Sequence, residues 1–118
     1  MLKNYKELKV WQKSCMLYLA AYKITSEFPI EETFNLIAQI RKSAVSIPSS
    51  IVEGYEQGTT PEYIRFLYIS YGSNCDLETQ ILISGDLGYI ENAELEDLID
   101  EIHEVERMLK ALINSLES

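Results

Sequence analysis

Apolar residues recur at steps of three and four along most of the chain, the period of helices that each bury one face. In the first segment, from about Tyr5 to Glu27, the residues Leu8, Trp11, Cys15, Tyr18 and Tyr22 fall on one stripe. Lys6, Lys9, Lys13 and Lys23 lie mostly outside it. Phe28-Pro29 should end this helix, because the residue before a proline is pushed out of the α region.

A second periodic segment runs from about Glu31 to Gln57, with Phe34, Ile37, Ile40 or Arg41, Ala44, Ile47 and Ile51 as its stripe. Glu31 and Glu32 suit a helix N-terminus through the helix dipole. Pro48 falls inside the stripe, where it removes a hydrogen bond and crowds a carbonyl at a cost of about 3 kcal/mol. Because the period resumes at Ile51 and Val52, the segment reads as one kinked helix; two shorter helices split at Pro48 are the alternative. Gly58 supplies its stop.

The third segment opens at Thr59-Thr60-Pro61-Glu62. Either Thr60 caps with Pro61 at the first helical position, or Thr59 caps with Glu62 in a capping box. It should run to about Leu87, with Gly88 as the stop. The fourth starts at Asn92, a favourable cap, and carries Leu95, Leu98, Ile102, Val105, Leu109, Leu112 and Leu116 as a heptad seam. Four amphipathic helices joined by short loops give an all-α, up-down-up-down antiparallel four-helix bundle. The 118 residues, of which 47% are hydrophobic, suit a single domain spanning 1–118 that buries a core without disulfides or metals.

Charge and cysteine content narrow the function classes. Cys15 and Cys75 are far apart and form no C-x-x-C pair, which fits a reducing, cytoplasmic setting. Met1-Leu2-Lys3-Asn4-Tyr5-Lys6 lacks the apolar core of a secretory signal, and no run is long enough to span a bilayer. Net charge is -9. Residues 1–30 hold five Lys against two Glu, whereas residues 91–118 hold two basic against nine acidic residues. An acidic body repels phosphate backbones, which disfavours generic nucleic-acid binding.

The residues offer little chemistry. His103 is the one histidine of the chain. Asp100-x-x-His103 has the spacing of half a di-iron carboxylate site, but such a site needs two acid-x-x-His motifs. His103 follows the core position Ile102 and should face outward as a surface histidine. A nucleophile–base pair fails because the one histidine faces outward, and Cys15 lies in an apolar stripe as an inert small hydrophobe. Phosphate-cradling glycine motifs are absent from the sequence. The expectation is therefore a protein that is not an enzyme, with no catalytic, cofactor-binding or metal-binding residues.

The third helix carries two apolar stripes. Tyr63, Phe66, Leu67, Ser70, Asn74, Leu77 and Ile81 should face the core; Ile64, Tyr68, Tyr71, Cys75 and Leu82 form a second, adjacent stripe. A helix in a lone bundle needs one apolar face, and tyrosine is favoured at interfaces. The second stripe could instead cover the bundle edge with its hydroxyls in water; the interface reading is preferred. The segment Ser46–Gly54 concentrates Pro48, Gly54 and three serines in a helix, a departure from propensity that marks a functional or packing constraint.

Several runs together resemble the 23S ribosomal RNA intervening-sequence proteins. They are Leu8-Lys9-Val10-Trp11-Gln12, Phe28-Pro29, the stretch Gln39-Ile40-Arg41-Lys42-Ser43-Ala44-Val45-Ser46-Ile47-Pro48-Ser49-Ser50-Ile51-Val52-Glu53-Gly54, Phe66-Leu67, Tyr71-Gly72-Ser73 and Leu77-Glu78-Thr79-Gln80. The likeness covers nearly the whole chain; Ser50 stands where the family more often has Asn, and Val52 where it has Ala. It implies homo-oligomers, with pentameric rings as the expected form. Proteins of this kind are encoded within insertions in ribosomal RNA genes, and a related basic branch serves as the accessory protein of diversity-generating retroelements. The acidity of this chain speaks against that last role.

The leading expectation is a ring-forming interaction protein that partners itself, with Ile64, Tyr68, Tyr71 and Cys75 at the subunit interface and Arg65 paired with Glu53 or Glu78. The alternative is an RNA- or ribonucleoprotein-binding accessory protein using Lys6, Lys9, Lys13, Arg41 and Lys42. Neither reading involves a membrane or a small-molecule substrate.

Overall fold

Two glycines punctuate the chain where a left-handed backbone is needed. Gly58 and Gly88 have φ of 83° and 81° and stop the second and third helices. The computed structural model describes residues 4–118, so the secretory-signal reading of Met1-Leu2-Lys3 lies outside the described residues. Among the described residues are four α-helices: α1 Lys9–Thr25, α2 Leu36–Glu56, α3 Thr60–Asp86 and α4 Asn92–Glu117. Short 3₁₀ turns at Tyr5–Glu7 and Ile30–Glu32 precede α1 and α2. Each helix packs against its neighbour in sequence, and α4 closes onto α1, which makes the up-down-up-down bundle. Its long dimension is 43 Å, about the length of the 27-residue α3 at ~1.5 Å per residue.

The caps decide between the sequence alternatives. Thr59 Oγ1 accepts from the Glu62 amide at 3.4 Å, so Thr59 rather than Thr60 is the cap of α3. α4 begins one residue earlier than expected, with Glu91 in the cap position and Asn92 already helical. α2 runs unbroken through Pro48, so the split into two helices is not adopted.

The core stripes of α2, α3 and α4 lie where the period puts them. Ile37, Ile40, Ala44, Ile47 and Ile51 face Leu67, Leu77 and Ile81, with Leu98, Ile102, Val105 and Leu109 closing the interior. Two expectations fail. Phe34 is 96% exposed, because α2 starts only at Leu36 and Asn35 holds a non-helical backbone that resets the phase. The buried face of α1 is Val10, Ser14, Leu17, Ala21 and Thr25, not the Leu8–Tyr22 stripe. Ser14 and Thr25 can be buried because their hydroxyls donate to the Trp11 and Ala21 carbonyls of their own helix, both at 2.8 Å. The displaced stripe lies at the flank of α1, with Trp11 and Tyr18 half-buried against the core and Tyr22 exposed.

The constraint anticipated in Ser46–Gly54 is close helix packing. Ser46, Ser50 and Gly54 recur every four residues and so share one face. The Ser46 and Ser73 hydroxyls are 2.8 Å apart, and buried Ser70 donates to the Ile47 carbonyl at 2.9 Å. A Cβ on Gly54 would stand 2.8 Å from Phe66 Cβ and 3.1 Å from the Tyr63 carbonyl oxygen. Neither neighbour is a flexible side-chain end, so α3 would have to move. Gly54→Ala should therefore destabilise the protein by about 1–3 kcal/mol in urea unfolding. Gly72→Ala is the contrast: nothing lies within 4 Å of its Cβ position, so it should stabilise by about 0.5–1 kcal/mol.

Candidate functional site

With α3 pressed onto α2 through Ser70 and Ser73, the residues one step round the helix turn toward α4. Tyr71 Oη donates to Glu106 Oε2 at 3.1 Å, and Tyr68 Oη donates to Glu117 Oε2 at 3.2 Å. Buried Asn74 Nδ2 donates to the Ile102 carbonyl at 3.0 Å. Glu78 Oε2 lies 2.8 Å from His103 Nε2. The α3–α4 seam is thus a ladder of polar contacts beside the core.

The second stripe of α3 occupies this flank. Tyr68 is 51% exposed and Leu82 44%, Cys75 is exposed, and Ile64 and Tyr71 are half-buried. The tyrosine hydroxyls are held within the chain rather than standing free in water, while the Tyr68 ring stays half open. Lys110 Nζ stands 5.6 Å from the centre of the Tyr71 ring and 3.5 Å from Glu106 Oε2. Its ammonium is held above the ordinary lysine value, first by Tyr71 and then by Glu106. Burial and then the charges of Glu106, Glu78 and Asp76 push the Cys75 thiol up.

His103 corrects the sequence reading. It does not simply face outward: the ring leans across to Glu78, and its side chain is 41% exposed. Its carboxylate neighbours are Glu78 and Glu106 rather than Asp100. Among the described residues, Glu78, His103 and Glu106 bring one ligand-type atom each to within 4.8 Å of one another. The spacings His103-x-x-Glu106 and Cys75-x-x-Glu78 were readable in the sequence. What the sequence could not supply was the register that sets one pair against the other.

The expected pairing of Arg65 with Glu53 or Glu78 is replaced by a local one. Arg65 bonds Glu62 on its own helix, with Nη2 3.0 Å from Oε2, and Glu78 is engaged by His103. The Glu62 hydrogen bond raises the Arg65 guanidinium further above its ordinary value, and Glu53 adds only the smallest contribution.

The basic residues singled out for RNA do not form one patch. Lys6, Lys9 and Lys13 sit around the start of α1, and Lys13 is paired with Glu104 at 3.1 Å. Arg41 lies near the opposite end of α1. Its Nε donates to Thr25 Oγ1 at 3.0 Å, and its guanidinium carbon stands 3.8 Å from the centre of the Tyr22 ring. Arg41 thereby caps the last turn of α1. Lys42 is exposed on α2.

The α1–α4 side bears a shallow cleft of about 220 Å³, with Ile24 and Leu98 on its floor and Lys23, Asp97 and Glu101 at its rim. Partial burial raises the Glu101 carboxyl above the ordinary range; Lys13 opposes this, and Asp97 and Glu104 add to it. A folded-state value above the unfolded one stabilises fully below the unfolded value, and that contribution is lost as pH rises through the folded value. Glu101→Gln should therefore raise stability at pH 7 and have little effect near pH ~4, at or below the unfolded carboxyl value. Urea midpoints at the two pH values check this.

No helix among the described residues is long and apolar enough to cross a membrane. Residues 6–111 match the sequence profile of the family described as 23S rRNA-intervening sequence protein. A crystal structure described as a protein with unknown function from the S23 ribosomal protein family, from Bacteroides thetaiotaomicron VPI-5482, aligns with a TM-score of 0.79. The two share 21% identity over 88% of this chain and 97% of that one, a likeness that establishes the fold alone. Comparison with curated proteins gives no match.

Proposed function

The chain belongs to the 23S rRNA-intervening sequence protein family, and we propose that it acts there as a non-enzymatic, ring-forming homo-oligomer that presents a surface to a further partner. The observation that carries this reading is the half-open apolar stripe on α3 around Tyr68 and Leu82, continued by exposed Ile69 and Ile83. A ring needs heterologous contacts, in which one patch meets a different patch of the next subunit. A second patch is available on the diagonally opposite side of the bundle, where Met16, Leu19, Tyr22 and Val45 are exposed on α1 and α2. The α3 stripe of Ile64, Tyr68, Tyr71 and Cys75 is one face of the proposed interface, and the Leu19 patch is the other. The pentamer is the ring size that the family resemblance implies.

Light scattering on size-separated protein tests this directly. The expected mass is five times the 13.6 kDa of one chain. Tyr68→Glu and Leu19→Glu should each give monomers, since each removes one of the two faces. An equimolar mixture of the two variants should give dimers, because each retains the face the other lacks. Unchanged assembly of either variant would sink the assignment.

The family description also favours a second reading, an RNA or ribonucleoprotein partner. Lys6, Lys9, Lys13 and Lys42 are the exposed basic residues that would serve it, Lys13 being also paired with Glu104. Gel shifts with structured RNA should then weaken steeply as salt rises, because phosphate contacts release counterions. Absence of binding at low salt would remove this reading.

A further inference from the structure

Two neighbouring antiparallel helices bring ligand-type residues together, Glu78 on α3 and the pair His103-x-x-Glu106 on α4. Residues three apart share a helix face. The contacts Tyr71–Glu106 and Glu78–His103 set the two helix faces against each other. We propose that Glu78, His103 and Glu106 form a binding site for a divalent transition-metal ion of the zinc type.

The donor set selects the ion. One imidazole nitrogen with two carboxylates suits zinc and its first-row neighbours, whereas calcium and magnesium favour oxygen ligands throughout. Three protein ligands with one position left open are a common zinc arrangement. The ligand atoms already stand within 4.8 Å of one another, so side-chain rotations alone can bring them around one ion. The charges agree: a divalent ion neutralises both carboxylates, which otherwise share Lys110 and the imidazole. All three ligands are partly exposed, which leaves an entry path.

The outer contacts are also those of a metal site. Tyr71 Oη holds Glu106 Oε2, the kind of second contact that orients a ligating carboxylate. Asn74 is 2% exposed and bonds the carbonyl of the residue before His103, yet its Oδ1 has no hydrogen-bond partner. Every ligand comes from one chain, so the proposal does not depend on ring formation.

Protein stripped with a chelator is titrated with Zn²⁺ by calorimetry and with Co²⁺ by absorption. One ion per chain is expected, in the assembly and in the Tyr68→Glu variant alike. His103→Gln and Glu106→Gln should bind at least about a hundredfold more weakly, since even outer contacts are worth 10–100-fold. Metal-free melting curves confirm that the variants are folded. Wild-type affinity no greater than that of folded His103→Gln would overturn the proposal.

Discussion

The close approach of α2 and α3 sets the rest of the bundle. Ser46, Ser50 and Gly54 remove side-chain bulk from one face of α2, and Phe66 and the Tyr63 backbone move into the space at Gly54. Small residues along an i, i+4 row let two helix ridges interlock at short range. The Ser46, Ser70 and Ser73 hydroxyls at this seam are satisfied across it, whereas the buried Tyr63 hydroxyl has no partner. This explains why a helix carries three serines, a glycine and a proline in nine residues, a composition that lowers helix propensity.

The seam fixes the rotation of α3, and that rotation distributes the chemistry. With Ser70 and Ser73 turned to α2, and Leu67, Leu77 and Ile81 to the centre, the next positions round the helix must meet α4. Tyr71 and Glu78 therefore arrive beside Glu106 and His103. Tyr68 remains half open because it lies further round still. One helix thus supplies the core, a polar seam and an exposed apolar stripe. Both the proposed subunit contact and the proposed ion site follow from that single orientation.

Much of this was legible in the residues. The number of helices, the stops at Gly58 and Gly88 and the core seam of α4 follow from period and turn chemistry alone. The phase of α1 was not legible, because its buried face includes Ser14 and Thr25, and a hydrophobicity pattern passes over hydroxyls that bond their own helix. Phe34 misled for a different reason: it lies between the 3₁₀ turn at Ile30–Glu32 and the start of α2 at Leu36, where the non-helical Asn35 resets the phase. Side-chain partners between helices were the least legible. Arg65 took the near carboxylate Glu62, and His103 found Glu78 only once α3 and α4 were in register.

Native-state hydrogen exchange is the most direct test of the dependence on the α2–α3 seam, since protected amides report which elements open only with the whole molecule. The account predicts that amides around Ile47 and Ile51 of α2 and Leu67 and Ser70 of α3 exchange only through global unfolding. Those of α1 should exchange sooner, through local opening of its looser contact with α4. Amides of α1 that outlast those around Ile47 and Ser70 would contradict it.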